Sequence, residues 1–241
     1  MNEFSRTEML IGAENMKKLA KSRVAVFGLG GVGGQAAEAL ARSGIGHLFL
    51  IDNDTVSLTN LNRQVIALHS TIGRPKVQVM EERIRDICPQ TQVKTFQTFI
   101  LPENLEAIME SMGPVDFILD AIDTVSAKLA LALYAQEHAI PIIAAMGTGN
   151  KLHPELLQIS DITKTSVCPL CRVMRRELKA RGIKKLAVCW SPETPIKPAS
   201  LPEGDCGRAR STPGSVSFVP PAAGLMMAGY TVRTLYSIGL R

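Results

Sequence analysis

Aromatic side chains are scarce, with one Trp, three Tyr and seven Phe among 241 residues. That argues against a surface that stacks successive bases on Phe and Tyr. Charged residues are few as well, at 20% against 46% apolar residues, a composition that excludes a disordered chain and supports a sizeable buried core. Gly and Pro, 19 and 14, fall short of a low-complexity bias. The opening MNEFSRTEMLIGAENMKKLA is polar and helical in period, without the apolar stretch of a secretory leader. No long run is purely apolar. The longest uncharged one, Ser211 to Val232, carries Ser, Pro and Gly, and reads as a loop entering a buried helix, not as a membrane span. Five cysteines, Cys88, Cys168, Cys171, Cys189 and Cys206, are an odd number, so free thiols or metal ligands are expected in place of a disulfide framework. A cytoplasmic protein is the expectation.

What is present is a rhythm. Apolar runs at Arg23–Phe27, His47–Ile51, Val93–Phe96, Val115–Asp120 and Ile140–Ala144 read as strands. Between them, Gln35–Ala41, Lys76–Ile87, Pro102–Met112 and Ala127–Glu137 read as helices. Strands alternating with helices predict an α/β fold with a doubly wound, mostly parallel, Rossmann-like sheet. Residues 150–215 break the rhythm with prolines, cysteines and basic residues, and only Pro169–Arg181 reads as a helix there. Regularity returns at Pro221–Leu235, and no internal repeat is found.

Gly28-Leu29-Gly30-Gly31-Val32-Gly33 follows the first strand and opens a helix, the context in which a G-x-G-x-x-G loop presents free N–H groups to phosphate. Asp52 ends the next strand, placed to accept from ribose hydroxyls. Alone, this pair fits NAD, FAD or ATP. Just beyond it come Asn60, Arg63 and Lys76, which add two fixed cations and an amide. A dinucleotide's pyrophosphate is handled largely by backbone and dipole, whereas a triphosphate attacked at its α-phosphorus gains from cations on the departing pyrophosphate. Asp123 falls at the carboxyl edge of the strand that begins at Val115, and is a Mg²⁺ ligand candidate.

The run from Arg6 through GLGGVGG, LIDNDTVSLTNLNRQ, the Lys76 helix and DAID resembles the ThiF/HesA/MoeB adenylating enzymes, relatives of the ubiquitin-activating enzymes. The resemblance implies ATP bound by Gly28, Gly30, Gly31, Gly33, Asp52 and Asp54. It implies phosphate contacts from Asn60, Arg63 and Lys76, Mg²⁺ on Asp123, and catalysis by Arg63, Lys76 and Asp123. It also implies a homodimer in which Arg6 reaches into the other subunit's site. The chain is then a single ThiF-like adenylating domain over residues 1–241, ATP-binding over 1–150, with a basic insertion and C-terminal elements over 151–241.

The second half carries the substrate. Gly147-Thr148-Gly149-Asn150-Lys151, the segment Ser160 to Thr165, Pro169-Leu170, Ser191-Pro192-Glu193 and Gly214 to Pro221 resemble the family branch that dehydrates threonylcarbamoyladenosine in tRNA. That branch adenylates the substrate carboxylate next to the anticodon, and the modification then cyclises on itself. The resemblance admits a cysteine desulfurase and sulfur-acceptor pair as further partners. An RNA partner has independent support. Residues 172–185 hold seven bases and one acid, or +6, which leaves −1 for the rest of a chain whose net charge is +5. Arg172, Arg175, Arg176 and Lys179 share a helix face at i, i+3, i+4 and i+7, a repulsive arrangement that a polyanion such as tRNA relieves.

The cysteines admit three readings. Cys168-Pro169-Leu170-Cys171 has metal-ligand spacing, but structural zinc takes four ligands, and Gly-Arg-Ala-Arg follows Cys206 where a second C-x-x-C would stand. Free thiols come first, zinc on Cys168, Cys171, Cys206 and one more ligand second, and a redox or sulfur-handling role third. Cys168 and His153 stand where the branch often carries acidic residues. Two rival functions remain: adenylation of a sulfur-carrier protein, as in ThiF and MoeB, and a non-catalytic nucleotide-binding module.

Overall fold

The structure is a computed structural model that describes residues 1–197 and 213–237. Two helices, α1 (Ser5–Ile11) and α2 (Ala13–Lys21), lead into β1 (Arg23–Phe27). The chain then alternates through α3 (Gly33–Arg42), β2 (His47–Ile51), α4 (Lys76–Ile87), β3 (Gln92–Phe96), α5 (Pro102–Met112), β4 (Phe117–Asp120), α6 (Val125–Glu137) and β5 (Ile142–Ala145). It continues with β6 (Gln158–Asp161), α7 (Pro169–Ala180), β7 (Ala187–Trp190) and α8 (Val219–Ser237).

The seven strands form one sheet in the order β3-β2-β1-β4-β5-β7-β6, parallel except for the antiparallel edge strand β6. The central strands are apolar throughout because helices cover both faces; Val24, Ala25, Val26 and Phe27 are fully buried. Helices α3, α4 and α8 pack on one face, and α5 and α6 on the other. Strand order reverses at β1, and Phe27 is in register with both Ile51 and Asp120. The ends of β1, β2 and β4 therefore open a crevice at the switch point, where sheets of this kind bind ligands.

Three expectations need correction. Residues 150–215 are not merely an insertion with one helix, since β6 and β7 extend the main sheet. They are four residues each, and the exposed or half-buried Gln158, Ser160 and Asp161 of β6 give no apolar run to read. The strand read as Val115–Asp120 begins at Phe117 and ends at Asp120, so Asp123 lies on the loop beyond it. The strand read as Ile140–Ala144 runs from Ile142 to Ala145, after Pro141, which lacks the N–H of a ladder residue.

From residue 213 onward, the uncharged run near the C-terminus is a loop entering a helix, as its Gly and Ser content implies. Val219, Ala223, Met227, Thr231 and Leu235 of α8 recur every four residues and are buried, several of them against α3. A Cβ at Gly224 would lie 2.3 Å from the Val32 carbonyl, so a small residue is what lets the two backbones meet. Among the described residues no helix is long and apolar enough to cross a membrane.

Candidate active site

A cleft of about 300 Å³ opens at the switch point. Its floor is the glycine loop. Gly28 has φ +87°, and a Cβ there would lie 2.7 Å from the Ala121 carbonyl, so the loop and the segment after β4 touch backbone to backbone. A Cβ at Gly33 would lie 1.8 Å from the Gly28 carbonyl, which makes that position a matter of packing at the start of α3. Gly28, Gly30 and Gly31 line the cleft, and Gly33 supports the turn from beneath.

Asp52 is half-buried at the end of β2, where it already holds two backbone groups. Its carboxylate accepts from Leu29 N at 2.6 Å and from Asp54 N at 2.8 Å, tying strand, glycine loop and the next turn together. Burial pushes its pKa up, while Lys76 and the two N–H groups pull the other way. Each carboxylate oxygen keeps a lone pair for a ribose hydroxyl. Lys76, the first residue of α4, is 4% exposed, and its Nζ donates to Asp54 Oδ2 at 2.7 Å. One of its three N–H bonds is thereby used, and two remain for an anion.

Asn60 closes the loop after β2: its Oδ1 accepts from Ser57 N at 3.0 Å, which leaves the amide N–H groups available. Arg63 is half-buried and anchored through Nη1 to the Thr59 carbonyl at 3.0 Å and to Asn62 Oδ1 at 2.8 Å. Burial lowers its pKa, yet a guanidinium remains charged. Asp123 is exposed and also lines the cleft. Asp52, Asp54, Asn60, Arg63, Lys76 and Asp123 thus line one cleft together with Gly28, Gly30 and Gly31. Arg6, on exposed α1, is not among the lining residues of its own chain's cleft.

Sequence reasoning passed over part of the lining. Gln64 is buried, and its Oε1 has no hydrogen-bond partner among the described residues. Thr98, Phe99 and Ile100, between β3 and α5, also line the cleft, the last two adding apolar surface. Only the adjacency of Gln64 to Arg63 hinted at the former, and nothing in the local pattern hinted at the latter.

The basic helix α7 carries both exposed and inward-turned cations. Arg172, Arg176 and Lys179 are exposed. Arg175 turns inward, donating to the Thr165 carbonyl at 2.9 Å and to the Thr165 hydroxyl, so it pins the preceding loop and is not a free member of the expected face. Glu177 holds Arg176 and Arg181 at 2.9 and 2.8 Å, and these two cations, Arg181 first, keep its carboxyl below its ordinary range.

Cys168 caps the N-terminus of α7, with Cys171 one turn on; both are buried free thiols. The neighbouring Cys171 side chain and the N–H groups of Cys171, Gly147 and Leu170 hold the Cys168 thiol below its ordinary pKa, against the opposing effect of burial. Cys171 moves upward for the converse reason. No cluster of three or more His, Cys, Asp or Glu side chains suited to a metal occurs among the described residues, and Cys206 lies outside them.

The model of the ThiF family matches residues 4–240. The tRNA threonylcarbamoyladenosine dehydratase of Bacillus subtilis is 42% identical over 243 residues, covering 98% of this chain and 95% of its own length. That of Escherichia coli is 41% identical over 177 residues, 73% of this chain and 65% of its own. A crystal structure of the Escherichia coli enzyme in complex with ATP superposes with a TM-score of 0.90 at 32% identity, over 99% of this chain and 96% of that one.

Proposed function

This chain belongs to the ThiF family, and on that premise we propose that it is an ATP-dependent tRNA threonylcarbamoyladenosine dehydratase. The observation that carries the reading is the meeting of the glycine loop, Asp52, Arg63, Lys76 and Asp123 in one cleft, within a chain that matches such a dehydratase over nearly the full length of both.

The glycine loop N–H groups and the ribose-facing Asp52 hold ATP. Arg63 and Lys76 neutralise the triphosphate and stabilise the charge that develops on pyrophosphate when the substrate carboxylate attacks the α-phosphorus. A Mg²⁺ ion typically takes one or two carboxylates, phosphate oxygens and water, a set that the exposed Asp123 fits, and when bound it neutralises phosphate charge. The acyl-adenylate formed near the anticodon is then attacked by a nucleophile of the modification itself, which expels AMP. The net result is loss of water from the nucleoside, with no protein thiol consumed. Zinc has no part in this scheme.

Arg172, Arg176 and Lys179 supply phosphate contacts to tRNA, while Arg175 supports their helix. In a homodimer, Arg6 of each protomer completes its neighbour's cleft. Residues 1–241 act as one adenylating domain, with 1–150 the ATP-binding part, in the cytoplasm. A cysteine desulfurase and its sulfur acceptor are the further protein partners consistent with the family.

The test is incubation with ATP, Mg²⁺ and tRNA bearing threonylcarbamoyladenosine, followed by mass spectrometry of the nucleosides without hydrolytic work-up. Loss of one water from that nucleoside is expected. Pyrophosphate release only with a carrier protein ending in Gly-Gly would replace this reading with sulfur-carrier adenylation, and no ATP turnover at all would replace it with a binding module.

A further inference from the structure

The ion pair between Asp120 and Lys128 is fully buried on both sides, the only such pair among the described residues, and Asp120 immediately precedes Ala121, Ile122 and Asp123 of the cleft lining. Asp120 ends β4. Its Oδ2 accepts from Lys128 Nζ, on α6, at 3.0 Å, and its Oδ1 accepts from Ile122 N at 3.1 Å. The residue between, Ala121, donates its N–H to the Phe27 carbonyl at 2.8 Å, and its own carbonyl abuts Gly28. Ala121 and Ile122 are thus clamped between a buried carboxylate and the glycine loop, and Asp123 is the next residue.

Stability alone explains this arrangement poorly. Dehydrating two charges offsets much of their attraction, and apolar pairs of similar volume hold a fold as well or better. Lys128 also sits near the N-terminal end of α6, where the helix dipole disfavours a cation. The local geometry supplies a different reason. Ile122 N needs an acceptor, a carboxylate provides one, and its negative charge beside a triphosphate would weaken binding unless cancelled on the spot.

We propose that Asp120 and Lys128 are positioning residues for Asp123. Asp120 fixes the backbone from which the metal-binding carboxylate projects, and Lys128 cancels the charge that this acceptor brings. The inference rests on the reading of Asp123 as the Mg²⁺ ligand.

Three double variants separate positioning from folding. Asp120→Asn with Lys128→Met removes both charges but keeps an acceptor for Ile122 N. Asp120→Leu with Lys128→Met removes the acceptor too, and Asp120→Ala with Lys128→Met repeats that comparison with a smaller side chain. Amide hydrogen exchange at Ile122 and Mn²⁺ binding in the presence of ATP, read by electron paramagnetic resonance, are compared with ATP affinity without metal. The Asn variant should match the parent within about threefold. The acceptor-free variants should exchange faster at Ile122 and bind Mn²⁺ about 10- to 100-fold more weakly, as loss of a supporting hydrogen bond typically does, with metal-free ATP affinity unchanged. Parental Mn²⁺ binding in a folded acceptor-free variant overturns the proposal. So does a result in which only the Asn variant folds, since the acceptor for Ile122 N would then serve the fold and not Asp123. These readouts do not use turnover: an inactive parent that shows the expected pattern defeats the dehydratase reading and leaves the positioning role standing.

Discussion

Lys76→Met tests the charge assignment most directly. Methionine keeps the packing of the side-chain stem and deletes the ammonium. The deleted charge is almost wholly buried, while its partner Asp54 is 57% exposed and can return to water. A pair so exposed on one side contributes about 0–1 kcal/mol, so the melting temperature should move by only a few degrees. Catalysis should respond far more. Two unit charges about 4 Å apart interact by roughly 4 kcal/mol at an effective dielectric constant of about 20, and Asp54 already offsets part of the lysine's field. Removing a preorganised charge stabiliser of this kind costs about 3–4 kcal/mol in the transition state, so kcat should fall about 10²- to 10³-fold. A second signature follows from Asp52, whose pKa burial raises and Lys76 opposes. Without Lys76 it should rise further, and because ionised Asp52 accepts from ribose, the acid limb of the pH–rate profile should move to higher pH. Steady-state pyrophosphate release across pH, with ATP binding by calorimetry and thermal melts as controls, measures all three. A kcat within tenfold of the parent, on protein that melts normally, refutes the assignment.

Replacing Arg172, Arg176 and Lys179 together by Glu should weaken tRNA binding and flatten the dependence of log K on log salt by about 0.7–0.9 for each phosphate no longer neutralised, while binding of free ATP stays intact. Arg175→Met should instead lower thermal stability and leave the salt slope unchanged, because that guanidinium is engaged with Thr165. Gly28→Ala meets both a φ of +87° and the Ala121 carbonyl; a loss of about 2 kcal/mol or more in urea unfolding is expected, with ATP binding abolished. Cys168 is an acid whose pKa is lowered on folding, so its ionisation stabilises the fold fully above the ordinary thiol range and ceases to do so as pH falls through the lowered value. The stability difference between the parent and Cys168→Ala should therefore shrink from pH 9 to pH 5, and Cys168→Asp, which keeps an anion at the helix N-terminus, should restore it at neutral pH.

Local chemistry carried much of the site into the sequence. A glycine loop between an apolar run and a helix, then a carboxylate, two cations and a second carboxylate in order, each announce themselves through residue type and spacing. The parallel sheet was equally legible, because strands buried on both faces must be apolar along their length. The basic segment could be located from charge alone.

Tertiary contacts decided the rest, because the relevant forces act between residues far apart in the chain. The four-residue strands β6 and β7 are specified by the ladder they extend, not by their own pattern. Arg175 and Arg176 are the same residue type in adjacent positions, yet one is drawn inward by Thr165 and the other stays in solvent, a difference set by the 100° turn between neighbours on a helix. Asp120 looked like one more strand residue beside the candidate ligand Asp123. Only the fold supplies the lysine that neutralises it and the buried backbone that it holds.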